Sequence, residues 1–398
     1  MSSKAWRRLR AIGALVAVSA VVAACGSSSA SGGGGGSGSP ITVGVQFGLT
    51  GVDSAFDSIY NDATKLAFNS VKSINGHPLH VLYSDDASDA GTAVAVTRKY
   101  VSDSHVSVLY GPAFTDSTLA TAHVADAVKV PLYTPGSISP LLTKPFQKYV
   151  FAPQFSSDDV ADGIAALANS MHVKKVGLLE ESDAYGSAAL AGANAALAKY
   201  GLKVNTVQQI SATATNATSQ VLAFKNAGDQ VVLLGVTAPP MAATLSAEIH
   251  LGAFIPVVTF AGSTTALDQL AKSSPHIKYY ALTPLACNLG AACSQSFLTA
   301  WNKAYPGTPA IVWAGQAYAA AQAFLAGLKD SSSASPTGIV DGLQDMPAFH
   351  SSLLPCSIKF SSSSHLGTTC TSFYGITGGK VSFFGATINH NTLTGSGQ

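Results

Sequence analysis

Between residues 41 and 262 the chain alternates short apolar runs with stretches in which apolar residues recur at helical spacing. The runs ITVGVQFG (41–48), PLHVLYSDD (78–86), VSVLYG (106–111) and PLYTPG (131–136) read as strands, and three of them close on glycine as buried parallel strands do. Between them Phe56, Ile59, Ala63, Leu66, Ala67 and Val71 mark one helix, 93–101 a second with Asp89 placed as its cap, and 115–128 a third. After Asp159 the rhythm restarts, with strands KKVGLLEE (174–181), VNTVQQI (204–210), QVVLLG (230–235) and PVVTFAG (256–262). Such alternation implies an α/β protein of two doubly wound parallel-sheet lobes. After about Pro284 two long helices (294–305 and 311–329), a shorter one (336–343) and a β-like tail follow. These late segments are expected to return to both lobes, giving 40–158 plus 286–368 as lobe 1 and 159–285 plus 369–398 as lobe 2, joined by a hinge.

Ligands of open parallel sheets bind beyond the carboxyl ends of the strands. Here those ends read Gly48-Leu49-Thr50-Gly51, Gly111-Pro112-Ala113-Phe114-Thr115 and Thr134-Pro135-Gly136-Ser137. Glycine and hydroxyl residues without charge suit the capture of a small polar ligand by backbone N–H groups at helix N-termini. Ordinary strand-to-helix turns use the same residues, and spacing alone does not separate the two readings.

The first 39 residues are of another kind. Lys4, Arg7, Arg8 and Arg10 precede an apolar run over 11–24, 14 residues long, which is short of the roughly 20 that a bilayer needs and typical of a secretory leader. Val22-Ala23-Ala24-Cys25 resembles the lipobox of bacterial lipoproteins, in which the cysteine is lipidated and becomes the first mature residue. Residues 26–39, glycine and serine but for Ala30, read as a flexible tether with a span of roughly 20 Å. The expected location is the extracytoplasmic face of a bacterial membrane. The leader carries four of the 22 basic residues and none of the 21 acidic ones, so removing it turns a formal charge of +1 into −3. Nothing in that balance attracts nucleic acid. Charged residues are 11% of the chain, against about 25% in ordinary soluble domains.

The other four cysteines, Cys287, Cys293, Cys356 and Cys370, fit an oxidising compartment. Three pairings are possible; the two local ones, a tight Cys287–Cys293 loop and a Cys356–Cys370 hairpin, are expected. No Cys-x-x-Cys or paired histidine spacing suggests a metal, and no cofactor is expected. Nor is there a nucleophile elbow, a P-loop or a paired-carboxylate motif. Asp85-Asp86, at a strand end before a helix, reads as a pair that caps and hydrogen-bonds rather than one that catalyses.

The stretches VGVQFGLTGVDSAFDSIYNDATKLAFNSV, VLYSDDASDAGTAVAVTRKYVSD and VLYGPAFTDSTLATAHVADAVKVPLYTPGSISP resemble the type I periplasmic solute-binding proteins, nearest the leucine/isoleucine/valine- and amide-binding receptors of ABC importers. The likeness runs from Ile41 to about Gly379 and is strongest over the first 100 residues of the folded part. It implies two lobes joined by three crossing strands that close on a ligand. It also implies that Thr115 and the loop Gly136-Ser137-Ile138 hold a ligand carboxylate. Phe56 and, from lobe 2, Tyr185 before Gly186 would then pack on the rest, with Thr237 and Thr264 completing the lobe-2 side. Three positions depart from the family pattern, Thr237 standing about where a tyrosine is common. Ile138 stands where amino-acid binders have threonine. Ser263-Thr264-Thr265 stands where lobe 2 places an acid for the α-ammonium, with no acid until Asp268. A buried ammonium without an anion costs several kcal/mol. Either Asp53, Asp116 or Glu181 substitutes, or the ligand lacks an α-amino group.

The implied protein is a monomeric, lipid-anchored receptor that passes its ligand to an ABC permease. A sensor reporting to a membrane partner, or a receptor for aromatic or keto acids, are the alternatives; an enzyme is not expected. If Cys25 is the anchor, Cys25→Ala moves the protein from the membrane fraction to the soluble fraction, and intact-mass analysis of the wild type shows acyl chains on Cys25. An unmodified Cys25 in soluble wild-type protein refutes the anchor.

Overall fold

The computed structural model describes residues 38–262, 265–287, 289–384, 387–389 and 392–394. Cys25, the leader and nearly all of the tether therefore lie outside the described residues, as does Thr264. Lobe 1 begins with β1 (Ile41–Phe47), α1 (Ser54–Phe68), β2 (Ser73–Ile74), β3 (His77–Asp85), α2 (Ala90–Ser102), β4 (Val108–Tyr110), α3 (Thr115–Val128), β5 (Leu132–Tyr133) and β6 (Val150–Phe151). Its strands lie in the order β2-β3-β1-β4-β5-β6, parallel but for the β2–β3 pair, with Val45 of β1 opposite Tyr83 and Tyr110. β1 is buried on both faces, as a central strand between two helical layers must be. Asp89 caps α2, its carboxylate accepting from Thr92 N at 2.7 Å, and α3 spans the whole of 115–128 expected from the sequence.

Lobe 2 follows with α4 (Ser157–Ser170), β7 (Val176–Glu181), α5 (Ala184–Ala198), β8 (Val204–Ile210), α6 (Thr218–Ala227), β9 (Val231–Gly235), α7 (Ala238–Leu251), β10 (Val257–Gly262), α8 (Thr265–Lys272) and β11 (Lys278–Thr283). Up to β11, three strands carried no sequence expectation: β2 and β6, with two residues each, and β11, whose KYYALT lies just before the change of rhythm. Ser156 and Asp159 form a capping box at the start of α4, where the chain first passes from one lobe to the other.

The chain then returns. α9 (Gln295–Ala304), α10 (Val312–Lys329) and α11 (Pro336–Asp345) come before β12 (Ser372–Thr377) and β13 (Lys380–Phe384). α10 is alanine-rich and buried nearly all round, and it docks on lobe 1. Phe324 packs on Phe68, Tyr110 and Tyr133, with ring centroids 5.6, 5.2 and 5.0 Å away. Tyr60 Oη donates to Gln316 Oε1 (3.0 Å) and Tyr133 Oη to the Ala320 carbonyl (2.9 Å). β12 pairs antiparallel with β11, so the second sheet runs β13-β12-β11-β10-β9-β7-β8. The chain thus crosses between the lobes at 152–156, 284–286 and 368–371. Disulfides join Cys287 to Cys293 (Cα–Cα 6.6 Å) and Cys356 to Cys370 (6.1 Å). A tight turn, Ser361 bridged to Ser364, lies between the latter two. β14 (Thr387–Asn389) and β15 (Thr392–Thr394) pair with each other. No helix among the described residues is long and apolar enough to cross a membrane.

Phe324 has no exposed surface and joins α10 to three aromatic rings of lobe 1. Phe324→Ala is expected to lower stability by about 3–5 kcal/mol, read as a shifted urea midpoint; a shift equivalent to less than about 1 kcal/mol contradicts that packing.

Candidate ligand-binding site

Both sheets turn the carboxyl ends of their parallel strands toward one cavity of about 210 Å³. Lobe 1 supplies Val52, Asp53, Ala55, Phe56 and Ile59 around the start of α1, Ala113-Phe114-Thr115 at the start of α3, and Gly136-Ser137-Ile138 after β5. Lobe 2 supplies Tyr185 of α5, Thr237-Ala238-Pro239 at the start of α7 and Phe260 of β10. Ile311 and Trp313, where α10 begins, close the remaining side. Phe56, Thr115, Gly136, Ser137, Ile138, Tyr185 and Thr237 are thereby brought together. Ile311, Trp313 and Phe260 had not been singled out from the sequence. Phe260 lies in the carboxyl-terminal half of parallel strand β10, close to the strand ends that the rule for the lobe-1 loops points to; nothing local marks Ile311 or Trp313, which arrive from a distant helix.

The loops are held hard against one another. A Cβ on Gly136 would lie 2.1 Å from the Ala113 Cβ, so only glycine lets the loop after β5 close on the loop after β4. Gln154 Nε2 donates to the Gly136 carbonyl at 2.6 Å, and Thr134 Oγ1 to the Pro112 carbonyl at 2.9 Å. Ser137 Oγ lies 3.4 Å from Thr115 Oγ1. Thr115 is the first residue of α3, where amides lack helical partners and the helix dipole favours an anion. Asp85 fastens the loop after β1, and Asp86 holds its own turn after β3. Asp85 accepts from Leu49 N (2.8 Å), Thr50 N (3.2 Å) and Thr50 Oγ1 (2.7 Å), and Asp86 accepts from Ser88 N (3.0 Å). The opposite wall is apolar and aromatic: Phe56 meets Trp313 edge-on at 5.6 Å and Tyr60 at 4.8 Å.

The three acids named from the sequence sort themselves by place. Asp53 is on the cavity wall. It occupies the cap position of α1 but makes no side-chain cap bond. Burial, then the neighbouring Glu181, Asp183 and Asp86, push its carboxyl up to about 8. Glu181 stands behind the wall. Its Oε1 accepts from Thr237 N at 2.7 Å and from the Thr237 hydroxyl, while Oε2 is buried without a hydrogen-bond partner. Burial raises it to about 7 in spite of the Thr237 bonds, with Asp183 adding to the rise. Asp116, in the first turn of α3, is not on the wall; burial and Asp183 raise it. One turn on from Asp53, Asp57 is fully buried and accepts from Gly48 N at 2.7 Å. Burial first, then Asp53, hold it well above the carboxylate range. The lining residues include no lysine, arginine or histidine.

Residues 40–380 match the family model described as periplasmic binding protein. An amino acid binding protein of Pseudomonas aeruginosa is 26% identical over 201 residues, 49% of this chain and 53% of that protein. A leucine-, isoleucine-, valine-, threonine- and alanine-binding protein of the same organism is 26% identical over 175 residues, 44% of this chain and 46% of that one. The chain thus spans about half the length of the curated relatives it matches. Among solved structures, an extracellular ligand-binding receptor from Rhodopseudomonas palustris HaA2 superposes with a TM-score of 0.74 at 20% identity, covering 86% of this chain and 99% of that one. A leucine binding protein from Thermotoga maritima superposes at 0.72 and 17%, covering 86% and 97%. A solute binding protein of an ABC transporter from R. palustris, in complex with 4-hydroxybenzoate, superposes at 0.74 and 17%, covering 86% and 95%. These relatives are named for what they bind and not for a reaction. With its two-lobed fold, its cavity between strand ends and a family match over most of its length, the chain belongs to the periplasmic binding protein family.

Proposed function

We propose that this protein is the extracytoplasmic receptor of an ABC importer, anchored through Cys25, and that its ligand is a small amino acid with an apolar side chain. The ligand carboxylate lies at the start of α3, against Thr115 and Ser137. Phe56, Ile59, Trp313, Ile311 and Tyr185 take the side chain. The α-ammonium pairs with Asp53. Thr237, locked by Glu181, shapes the lobe-2 side. Asp53 carries this reading: it is an acid on the cavity wall, surrounded by other acids, with no base among the lining residues. An ammonium relieves that arrangement and an anion aggravates it. The names of the two Pseudomonas relatives agree with it. A receptor for aromatic acids is the second reading. It is favoured by Ile138, by the aromatic wall and by fold neighbours whose structures hold 4-hydroxybenzoate and benzoate.

The sign of the pH dependence separates the two. Asp53 is protonated on the acid side of about 8, so binding an ammonium there must release a proton. Leucine binding measured by calorimetry is then expected to strengthen between pH 6 and pH 8, by up to about tenfold per unit. Asp53→Asn should weaken it by about 10- to 150-fold and remove the pH trend. If the ligand is an aromatic or keto acid, binding of benzoate or 4-methyl-2-oxopentanoate weakens over the same range and Asp53→Asn strengthens it.

The carboxylate end has its own test. Thr115→Ala is expected to weaken binding by about 10- to 150-fold with the fold intact by circular dichroism. Thr115→Val should be as damaging, because it keeps the shape and loses the hydroxyl; wild-type affinity in Thr115→Val rules that bond out.

A further inference from the structure

The three crossings between the lobes are tied down at their lobe-1 ends. On the first, Ala152 N donates to the His365 carbonyl (2.9 Å), and Gly367 N, just before the third, donates to the Ala152 carbonyl (2.7 Å). Ser157 N then donates to the Ile138 carbonyl at 2.6 Å. The first and third crossings run so close that a Cβ on Gly367 would lie 2.6 Å from the Pro153 carbonyl oxygen. On the second, Ala286 N donates to the Leu353 carbonyl (2.8 Å) and the next residue, Cys287, is bonded to Cys293. Ser352 Oγ in turn donates to the Cys293 carbonyl at 2.8 Å. The same loop, 351–356, ends at Cys356, which is bonded to Cys370 on the third crossing. Only Thr371 then separates that disulfide from β12, which belongs to the lobe-2 sheet.

We propose that loop 351–356, with the Cys356–Cys370 disulfide in which it ends and the Cys287–Cys293 disulfide to which Ser352 bonds, is a hinge brace. It fixes the lobe-1 ends of the second and third crossings, so that bending is confined to 284–285 and to the single residue Thr371. Buried Leu353 and the carbonyl bonds set the loop against the second crossing. The Cys356–Cys370 bond carries that anchorage covalently to the third. Removing it frees 368–371 as one longer flexible span, since a tie within a chain removes conformational freedom that rises, slowly, with the number of residues left unconstrained. The brace serves the receptor reading, because a cleft that closes needs a defined pivot. Its test needs no ligand, so the two ideas fail separately.

Hydrogen exchange on the empty full-length protein is the measurement, comparing wild type with the Cys356→Ser/Cys370→Ser variant. Amides in 368–372 are expected to exchange about tenfold faster or more in the variant, with those of β1 and β9 unchanged. Small-angle scattering of the same samples is expected to give a larger radius of gyration, as the lobes sample wider angles. Wild-type exchange at 368–372, or acceleration spread evenly over both sheets, overturns the brace; the latter marks ordinary destabilisation. If the variant does not fold, the folded wild type is treated with dithiothreitol. The reagent delivers two electrons and two protons, leaves a thiol on each of Cys356 and Cys370, and is itself oxidised to its cyclic disulfide. The same two outcomes then decide, with the Cys287→Ser/Cys293→Ser variant treated alongside to isolate the Cys356–Cys370 bond.

Discussion

Parallel strands cannot be joined by a tight turn. Each needs a crossover that carries the chain back to the starting edge, usually through a helix. Every carboxyl end therefore falls on one edge of the sheet, and most of them feed the N-terminus of a helix. Both lobes obey this constraint, and both turn that edge to the same cavity. The backbone donors at the start of α3, the hydroxyls of Thr115 and Ser137, and the close approach of Gly136 to Ala113 all follow from it. What is particular to this chain is the charge laid on that frame.

That charge is one-sided. Asp53, Asp57, Asp86 and Glu181 sit near one another in poorly solvated surroundings, and burial raises all four. Asp57 and Glu181 each use one oxygen to hold backbone, at Gly48 and Thr237, and leave the other without a hydrogen-bond partner. They serve as braces for loops at the rim of the cavity. Asp53 differs in facing the cavity with its carboxyl uncommitted to a helix cap.

How much of this was legible in the sequence depended on the range of the interactions. α3 and the Asp89 cap are written in local pattern, and both could be read there. So could the lobe-1 loops of the cavity, because strand ends carry their own glycines and hydroxyls. β6 could not: two residues make no periodic signal, and its place comes from parallel pairing with β5. β11 is anchored on its outer side by β12, which lies some ninety residues on. Trp313 and Ile311 read as ordinary residues at the start of a buried helix, and only the docking of α10 on lobe 1 brings them to the cavity. Sorting Asp53 from Glu181 and Asp116 required the cavity wall itself, on which Asp53 alone of the three lies.

The docking of α10 also orders events in time. Tyr60 bonds to Gln316, and Phe68 and Tyr110 pack on Phe324, across more than 200 intervening residues that include nearly all of lobe 2. A chain emerging N-terminus first has made β1 to β6 long before it makes the helix that completes their core. Until then that half exposes the aromatic faces of Phe68, Tyr110 and Tyr133 and has only part of the burial that stabilises it. Most of lobe 2, from α4 to β11, lies in the chain between that half and the helix that completes it. Contacts of such sequence separation must meet the entropy of closing a long loop before they reward it, so completion of the lobe-1 core is expected to be a late and slow step of folding.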